Sequence, residues 1–337
     1  MIKLIGIVGY QAYIPKYRLS MKELRSVWQQ AAPGIDEKSV PYRDEDSITM
    51  GVVAVENLLV NMQIETDKID AIYFASISSP YIDKPVSTLL VSMLGLKENV
   101  FTTDIGGSAQ SGAMALINCQ RFLGDSDKFG LIIISDCLKS KPGSIMERHF
   151  GSGAVALLVG NNNPIADITG SYAYSIEISD RWKGIDQEYK TGDDRFIKQF
   201  GYIPAVSNAI SGLLEKLGKD INDYTHIIVQ QPDGKTPGYI AKSLKFDKSK
   251  MNEGNIAKYF GDLGSVSVFM GLAKVLDTAE EGDEILIAAY SSGGCHAIGF
   301  KVNSNIENYK SNPPVQYYIN NKININYIKY LQYLELI

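Results

Sequence analysis

GGSAQSGAMALINCQRFLG at residues 106–124 and GDLGSVSVFMGLAKVLDTA at residues 261–279 decide the fold of this chain. Both read as helices, over 109–124 and 264–279, and both open on Gly, Ser and Ala. A helix that meets water shows one wide apolar stripe and a charged opposite face. The first helix has no charge until Arg121, and the second has only Lys274 and Asp277. Small side chains let helix backbones approach closely, so both belong in the middle of the molecule.

The flanks repeat in the same order, the mark of a duplicated unit. In the first half the apolar run Ile69–Ala75, a Pro-containing loop, the helical STLLVSMLG and the strand-like VFTTDI (100–105) precede the small-residue helix. An acidic turn, the run Leu131–Ser135, a Gly-containing loop and the run Ala154–Val159 follow it. In the second half Thr225–Val229, a loop with Pro232 and Pro237 and the helical PGYIAKSLK precede the corresponding helix. The turn EEGDE, the run Ile285–Ala289, a Gly-Gly loop and Ala297–Val302 follow. Short continuous apolar runs are strands covered on both faces, which need no polar alternation. Two such units around a shared helix layer predict a duplicated α/β fold of five layers, αβαβα. The halves fall at 1–164 and 165–302. Residues 303–337, rich in Asn, Tyr, Ile and Lys, carry too many apolar groups for a free tail and read as a docked extension.

Composition narrows the function. A net charge of −5 without a basic cluster speaks against nucleic acid. The three cysteines, Cys119, Cys137 and Cys295, lie far apart with no CxxC spacing, which reads as a reducing compartment. The three histidines share no ligand-like spacing, so no metal site is expected. MIKLIGIVGYQAYIP reads as a strand rather than a signal peptide, and no apolar run approaches the roughly 20 residues of a membrane helix. A cytoplasmic protein without membrane contact is expected.

Specific motifs go further. GIVGYQAYIPKYRL (6–19), DEDSITMG (44–51), SSPYIDKP (78–85), GLAKVLD (271–277) and the closing PPVQYYINNKININYIKYLQYL resemble archaeal-type hydroxymethylglutaryl-CoA synthases, members of the thiolase superfamily. The resemblance implies the thiolase fold. It also implies chemistry by a cysteine, a histidine, an asparagine and a glutamate: a thiolate at a helix N-terminus attacks a thioester, two donors stabilise the enolate or oxyanion, and a carboxylate moves protons. Carried onto this sequence, the cysteine falls on Ala109, the histidine on Gln230 of VQQPDGKTP, the asparagine on Asp262 of FGDLGSVS and the glutamate on Ile77 of FASISSPY. Alanine has no nucleophilic atom; glutamine donates a hydrogen bond but shuttles no proton. An ionised Asp262 would place negative charge where an oxyanion should form.

Substitute groups are few. Ser108 and Ser111 have no identifiable base, and Cys119 and Cys137 read as packing. Cys295 and His296, in SSGGCHAIGF, follow a loop (Gly293, Gly294) resembling the superfamily segment whose backbone lines the oxyanion pocket. Adjacent residues of an extended segment point to opposite sides, which speaks against a nucleophile–base pair.

The pattern resembles the non-catalytic, synthase-like subunit of diacetylphloroglucinol acyltransferase-type complexes. That resemblance implies a thiolase-like catalytic subunit and an OB-fold zinc protein as partners, and acetyl transfer onto an aromatic polyketide. It implies no tightly bound cofactor, with acyl-CoA as the ligand, and a homodimer through Val100–Ile105. The competing expectations are a hydroxymethylglutaryl-CoA synthase or ketoacyl synthase III-like condensing acyltransferase with an altered site, and a standalone acyl-CoA or polyketide-binding protein.

Overall fold

A computed structural model describes residues 4–124, 126–184 and 187–337. The first-half sheet runs β5 (Phe101–Ile105), β4 (Ile69–Ala75), β6 (Phe129–Cys137), β7 (Ser152–Gly160), β1 (Gly6–Tyr13). β4, β5 and β6 are mutually parallel, whereas β7 is antiparallel to β6 and β1. The second-half sheet runs β8 (Ala166–Ser175), β13 (Gly294–Val302), β12 (Glu284–Ser291), β11 (His226–Val229), with β11 parallel to β12 and β13 antiparallel to both its neighbours. Strand for strand this repeats the first sheet, except that β5 has no counterpart among the described residues. A short pairing of Gly6 and Ile7 with Asp167 and Ala166 joins the two into one nine-stranded ladder.

Side-chain alternation shows why the strand sequences are apolar throughout. On β6, Leu131 and Ile133 face α2 (Ser47–Met62) and α3 (Val86–Met93), while Ile132 and Ile134 face inward to α4 (Ser111–Leu123). On β12, Leu286 and Ala288 face α7 (Ile203–Leu217) and α8 (Gly238–Leu244), while Ile285 and Ile287 face α10 (Ser267–Leu276). Each fully buried side chain of this kind contributes roughly 1.5–3 kcal/mol. The order is therefore α2/α3, sheet, α4/α10, sheet, α7/α8, five layers in all.

The two central helices start later than the sequence suggested. α4 begins at Ser111 rather than 109, because Gly107 takes φ +77° and Ser108 Oγ accepts from Gln110 N–H, holding Ala109 in the preceding turn. Gly264, at φ +60°, opens a tight 3-10 turn before α10, which ends at Leu276. α10 is buried almost all round. α4 is buried on one face only: Asn118, Arg121 and Phe122 are exposed, and Phe122 stacks on Phe101 of the edge strand β5 at 4.6 Å.

Smaller elements surround this frame. β2 (Tyr17–Ser20) pairs with β3 (Glu37–Val40) and, in parallel, with β14 (Ile323–Ile325). α1 (Met21–Trp28) and α12 (Tyr327–Tyr333) close an apolar cluster over this sheet. α11 (Val315–Asn320) packs on α10 and β1, where Tyr318 donates to Ala12 O at 3.1 Å. α5 (Ile145–His149) and α9 (Ala257–Phe260) precede β7 and α10, and α6 (Asp194–Phe196) runs through a wide helical turn into α7. β9 (Arg181–Trp182) and β10 (Lys190–Thr191) form a two-stranded ribbon. No helix among the described residues is long and apolar enough to cross a membrane.

Candidate functional site

Ligands of open α/β sheets bind outside the carboxyl ends of the parallel strands. Here the ends of β4, β5 and β11 deliver Ser76–Ser78, the turn 106–110 and Gln230–Gln231 to one region, and the turn before α10 adds Asp262–Ser265.

Asp136, at the end of β6, ties the two halves together there. It is fully buried; Oδ1 accepts from Ser76 Oγ, Ile77 N and Ser78 Oγ at 2.8–2.9 Å, and Oδ2 accepts from Ser265 N at 2.8 Å and Oγ at 2.6 Å. Burial raises its carboxyl above the usual carboxylate value, against the pull of those hydrogen bonds.

Three of the sequence candidates meet at Gly264. Gln230 donates from Nε2 to Gly264 O at 2.8 Å, which fixes its amide and leaves Oε1 without a partner among the described residues. Its backbone is held by Ala288 O and by the Tyr202 hydroxyl at 2.6 Å. Asp262 accepts from Gly264 N at 2.9 Å, and Ile77 Cδ1 lies 3.1 Å from where a Cβ on Gly264 would sit. Ala109, 3% exposed, waits in the turn before α4; Gly106 packs on Ser76 O on one side of that turn, and Gln110 donates to Ser291 O at 3.0 Å on the other.

Arg181, which the sequence did not single out, completes the site. Its Nη1 meets Asp262 Oδ2 at 2.8 Å, with Asp262 side chain 2% exposed. The guanidinium lies over the rings of Phe150 and Tyr189 at 5.1 and 5.9 Å, and those rings meet edge to face. Burial works against its charge, but Asp262, with Tyr189 and Asp180 behind it, more than offsets that and holds the guanidinium above its ordinary pKa. Asp262 is also locked by its backbone, N–H to His149 O at 2.6 Å and O from Gly151 N at 2.9 Å.

A cavity of about 580 Å³ opens here, lined by Gln230, Asp262, Arg181, Tyr202 and Tyr290, and further by Gln30, Arg148 and Lys198. Ala109 and Ile77 do not line it, and neither do Gly293, Gly294, Cys295 or His296. Gly293 packs on Ile176 O at φ +85°, and Gly294 sits against Gln110. Cys295 points away, into the outer cluster with Tyr202 and Tyr290, where burial pushes its thiol far above its ordinary value. His296 alternates to the other face of β13; burial lowers its pKa, and Nδ1 has no partner among the described residues. Burial likewise pushes Cys119 to about 12 and Cys137 to about 11, so all three sulfurs stay protonated near neutrality.

No family model matches the chain. Among curated proteins it is 33% identical over 341 residues to the hydroxymethylglutaryl-CoA synthase of Methanocaldococcus jannaschii, covering 98% of this chain and 99% of that one. It is 34% identical over 334 residues to the synthase of Thermococcus onnurineus, covering 98% and 95%. The chain belongs to the hydroxymethylglutaryl-CoA synthase family. Solved structures share the family's thiolase-like fold. MvaS in complex with 3-hydroxy-3-methylglutaryl coenzyme A superposes with TM-score 0.88 at 18% identity, over 100% of this chain and 93% of that one. The curacin-pathway HMG synthase in complex with acetyl donor-ACP gives 0.88 at 19%, over 98% and 88%.

Asp136 and Arg181 are the site residues that sequence reasoning missed. Asp136 ends a buried apolar run, LIIISD, and a carboxylate at the mouth of a buried strand was a usable signal. Arg181 gave none, since it lies in a segment without apolar periodicity, 81 residues from its partner.

Proposed function

We propose that the chain is a synthase-like subunit without acyl-transfer chemistry of its own, acting in the cytoplasm within a multi-component C-acyltransferase. The observation that carries this reading is the buried methyl of Ala109 at the place where the family resemblance puts the nucleophile, with all three thiols buried and protonated elsewhere. Gln230 has one of its two side-chain N–H donors committed to Gly264 and shuttles no proton, and Asp262 is a carboxylate neutralised by Arg181 that accepts rather than donates. The pair therefore does not replace the histidine and asparagine that the resemblance places there. The cavity would hold an acyl-CoA without turning it over. A thiolase-like catalytic subunit and an OB-fold zinc protein would supply the chemistry, moving acetyl groups onto an aromatic polyketide. That a curacin-pathway relative is known in complex with a donor ACP supports a family frame that receives partner proteins. A homodimer would form through β5, an unpaired sheet edge flanked by exposed Phe101 and Phe122.

Identity above 30% to synthases over nearly the whole chain favours a second reading, a synthase with a displaced nucleophile. Intact-mass spectrometry after incubation with excess acetyl-CoA separates the two. The subunit reading expects no acetyl adduct, and capture of thiolase-like and OB-fold proteins on the purified chain. A stoichiometric adduct, or turnover by the chain alone, would replace it with the synthase.

A further inference from the structure

We propose that the Arg181–Asp262 pair is a charge filter that admits neutral acyl groups to the cavity and rejects acyl groups ending in a carboxylate. The inference rests on reading the cavity as an acyl-CoA site and says which thioesters that site takes.

An anionic ligand needs a cation with charge to offer. Arg181 borders the cavity and has the rigid fork that matches a carboxylate, but Asp262 already faces it at 2.8 Å from a nearly fully buried position. A second carboxylate approaching Arg181 would meet Asp262 as a like charge, in a region where water screens poorly. Asp262 cannot swing aside to make room. Its Oδ1 is held by Gly264 N, and its backbone by His149 and Gly151. Phe150 and Tyr189 fix the guanidinium in the same way from the other side.

The remaining charges do not rescue an anion. Lys198 is paired with Asp194 at 2.8 Å. Arg148, on the same wall, has no carboxylate partner among the described residues but is outnumbered by Asp180, Asp193 and Asp233. Gln230 adds to the preference. Buried to 4% exposure, it presents an unpartnered acceptor, Oε1, while one of its two N–H donors is committed to Gly264. Such a wall suits an uncharged acyl group, above all one carrying a hydroxyl, and opposes a terminal carboxylate.

Calorimetric titration of the full chain with acetyl-CoA, acetoacetyl-CoA and 3-hydroxy-3-methylglutaryl-CoA tests this. All three share the CoA moiety, so their ratio isolates the acyl end. The carboxylate-bearing thioester should bind at least ~10-fold more weakly than the neutral two. Asp262→Asn frees Arg181 and should close that gap by about tenfold; Arg181→Gln, which leaves Asp262 without its counter-charge, should widen it. Thermal melts of each variant confirm folding, and the wild-type ratio stands even if a variant misfolds. Equal binding of all three thioesters by the wild type would overturn the filter while leaving the acyl-CoA reading intact, as would a ratio that Asp262→Asn leaves unmoved. Absence of binding by every thioester would overturn both.

Discussion

Lys38 shows how far a single side chain departs from what its residue type suggests. Lysine is almost never fully buried, yet Lys38 is 1% exposed, its ammonium bonded to Glu147 O and, at 2.9 Å, to the Tyr330 hydroxyl, with the Tyr330 ring 4.3 Å away. Burial lowers its pKa to about 7. In the unfolded chain it stays protonated to about 10.4, so between these values the unfolded state binds the extra proton and stability rises with pH. From pH 7 to 9 the wild type should therefore gain up to about 2–3 kcal/mol relative to Lys38→Met, which has no such proton. Urea titrations of both proteins at the two pH values check the sign; equal pH slopes would show that Lys38 keeps its charge. At this same scale the motifs around Ala109, Gln230, Asp262 and Ile77 were readable, and the family resemblance alone puts reacting groups at those positions. What they touch was not, and neither was the counter-charge Arg181 that gives Asp262 its meaning.

Helix α4 and helix α10 share a small-residue opening, and the structure gives it a physical reason. A Cβ on Gly112 would come within 2.7 Å of the Phe269 ring and 3.1 Å of Ile134 Cδ1, so the glycine is the space into which α10 packs. Gly112→Leu should accordingly destabilise the fold by about 1–3 kcal/mol, more if the two sheets must separate. Chemical denaturation measures this, and a variant as stable as the wild type would mean the helices are free to part. The scarcity of charge along both helices was legible in the sequence, but it stood for two different environments. α10 lies between two sheets, whereas α4 meets sheet and helix on one face and leaves Phe122 exposed on the other.

The duplicated halves bury their faces against one another and leave the molecule asymmetric at one end. At the edge, β5 presents Phe101, 45% exposed, stacked on Phe122, 47% exposed, beside backbone groups that pair with no further strand among the described residues. In the proposed homodimer these would be covered by a second copy burying more than roughly 1,000 Å². Phe101→Asp puts a charge at the centre of that contact. Light scattering should report a dimer for the wild type and a monomer for the variant, with an unchanged melting profile at low concentration. A wild type that stays monomeric at high concentration would remove the interface.

The sequence by itself determined the apolar runs that become β1, β4 to β7 and β11 to β13, though not β8, the repeat of one α/β unit that taken twice gives five layers, and the family to which its motifs belong. Those features depend on local apolar runs, small residues and motifs, each readable within a dozen positions, as in LIIIS and SGAMALINC. Tertiary structure alone decided that α4 starts after Ala109, that one cavity reaches Gln230 and Asp262 but not Ala109, and that Cys295 faces the outer layer. It also brought Arg181 to Asp262 and Lys38 to Tyr330, pairs 81 and 292 residues apart. Such pairings follow from how the sheets and the C-terminal segment come together, and charge interacts through space, where separation along the chain has no bearing.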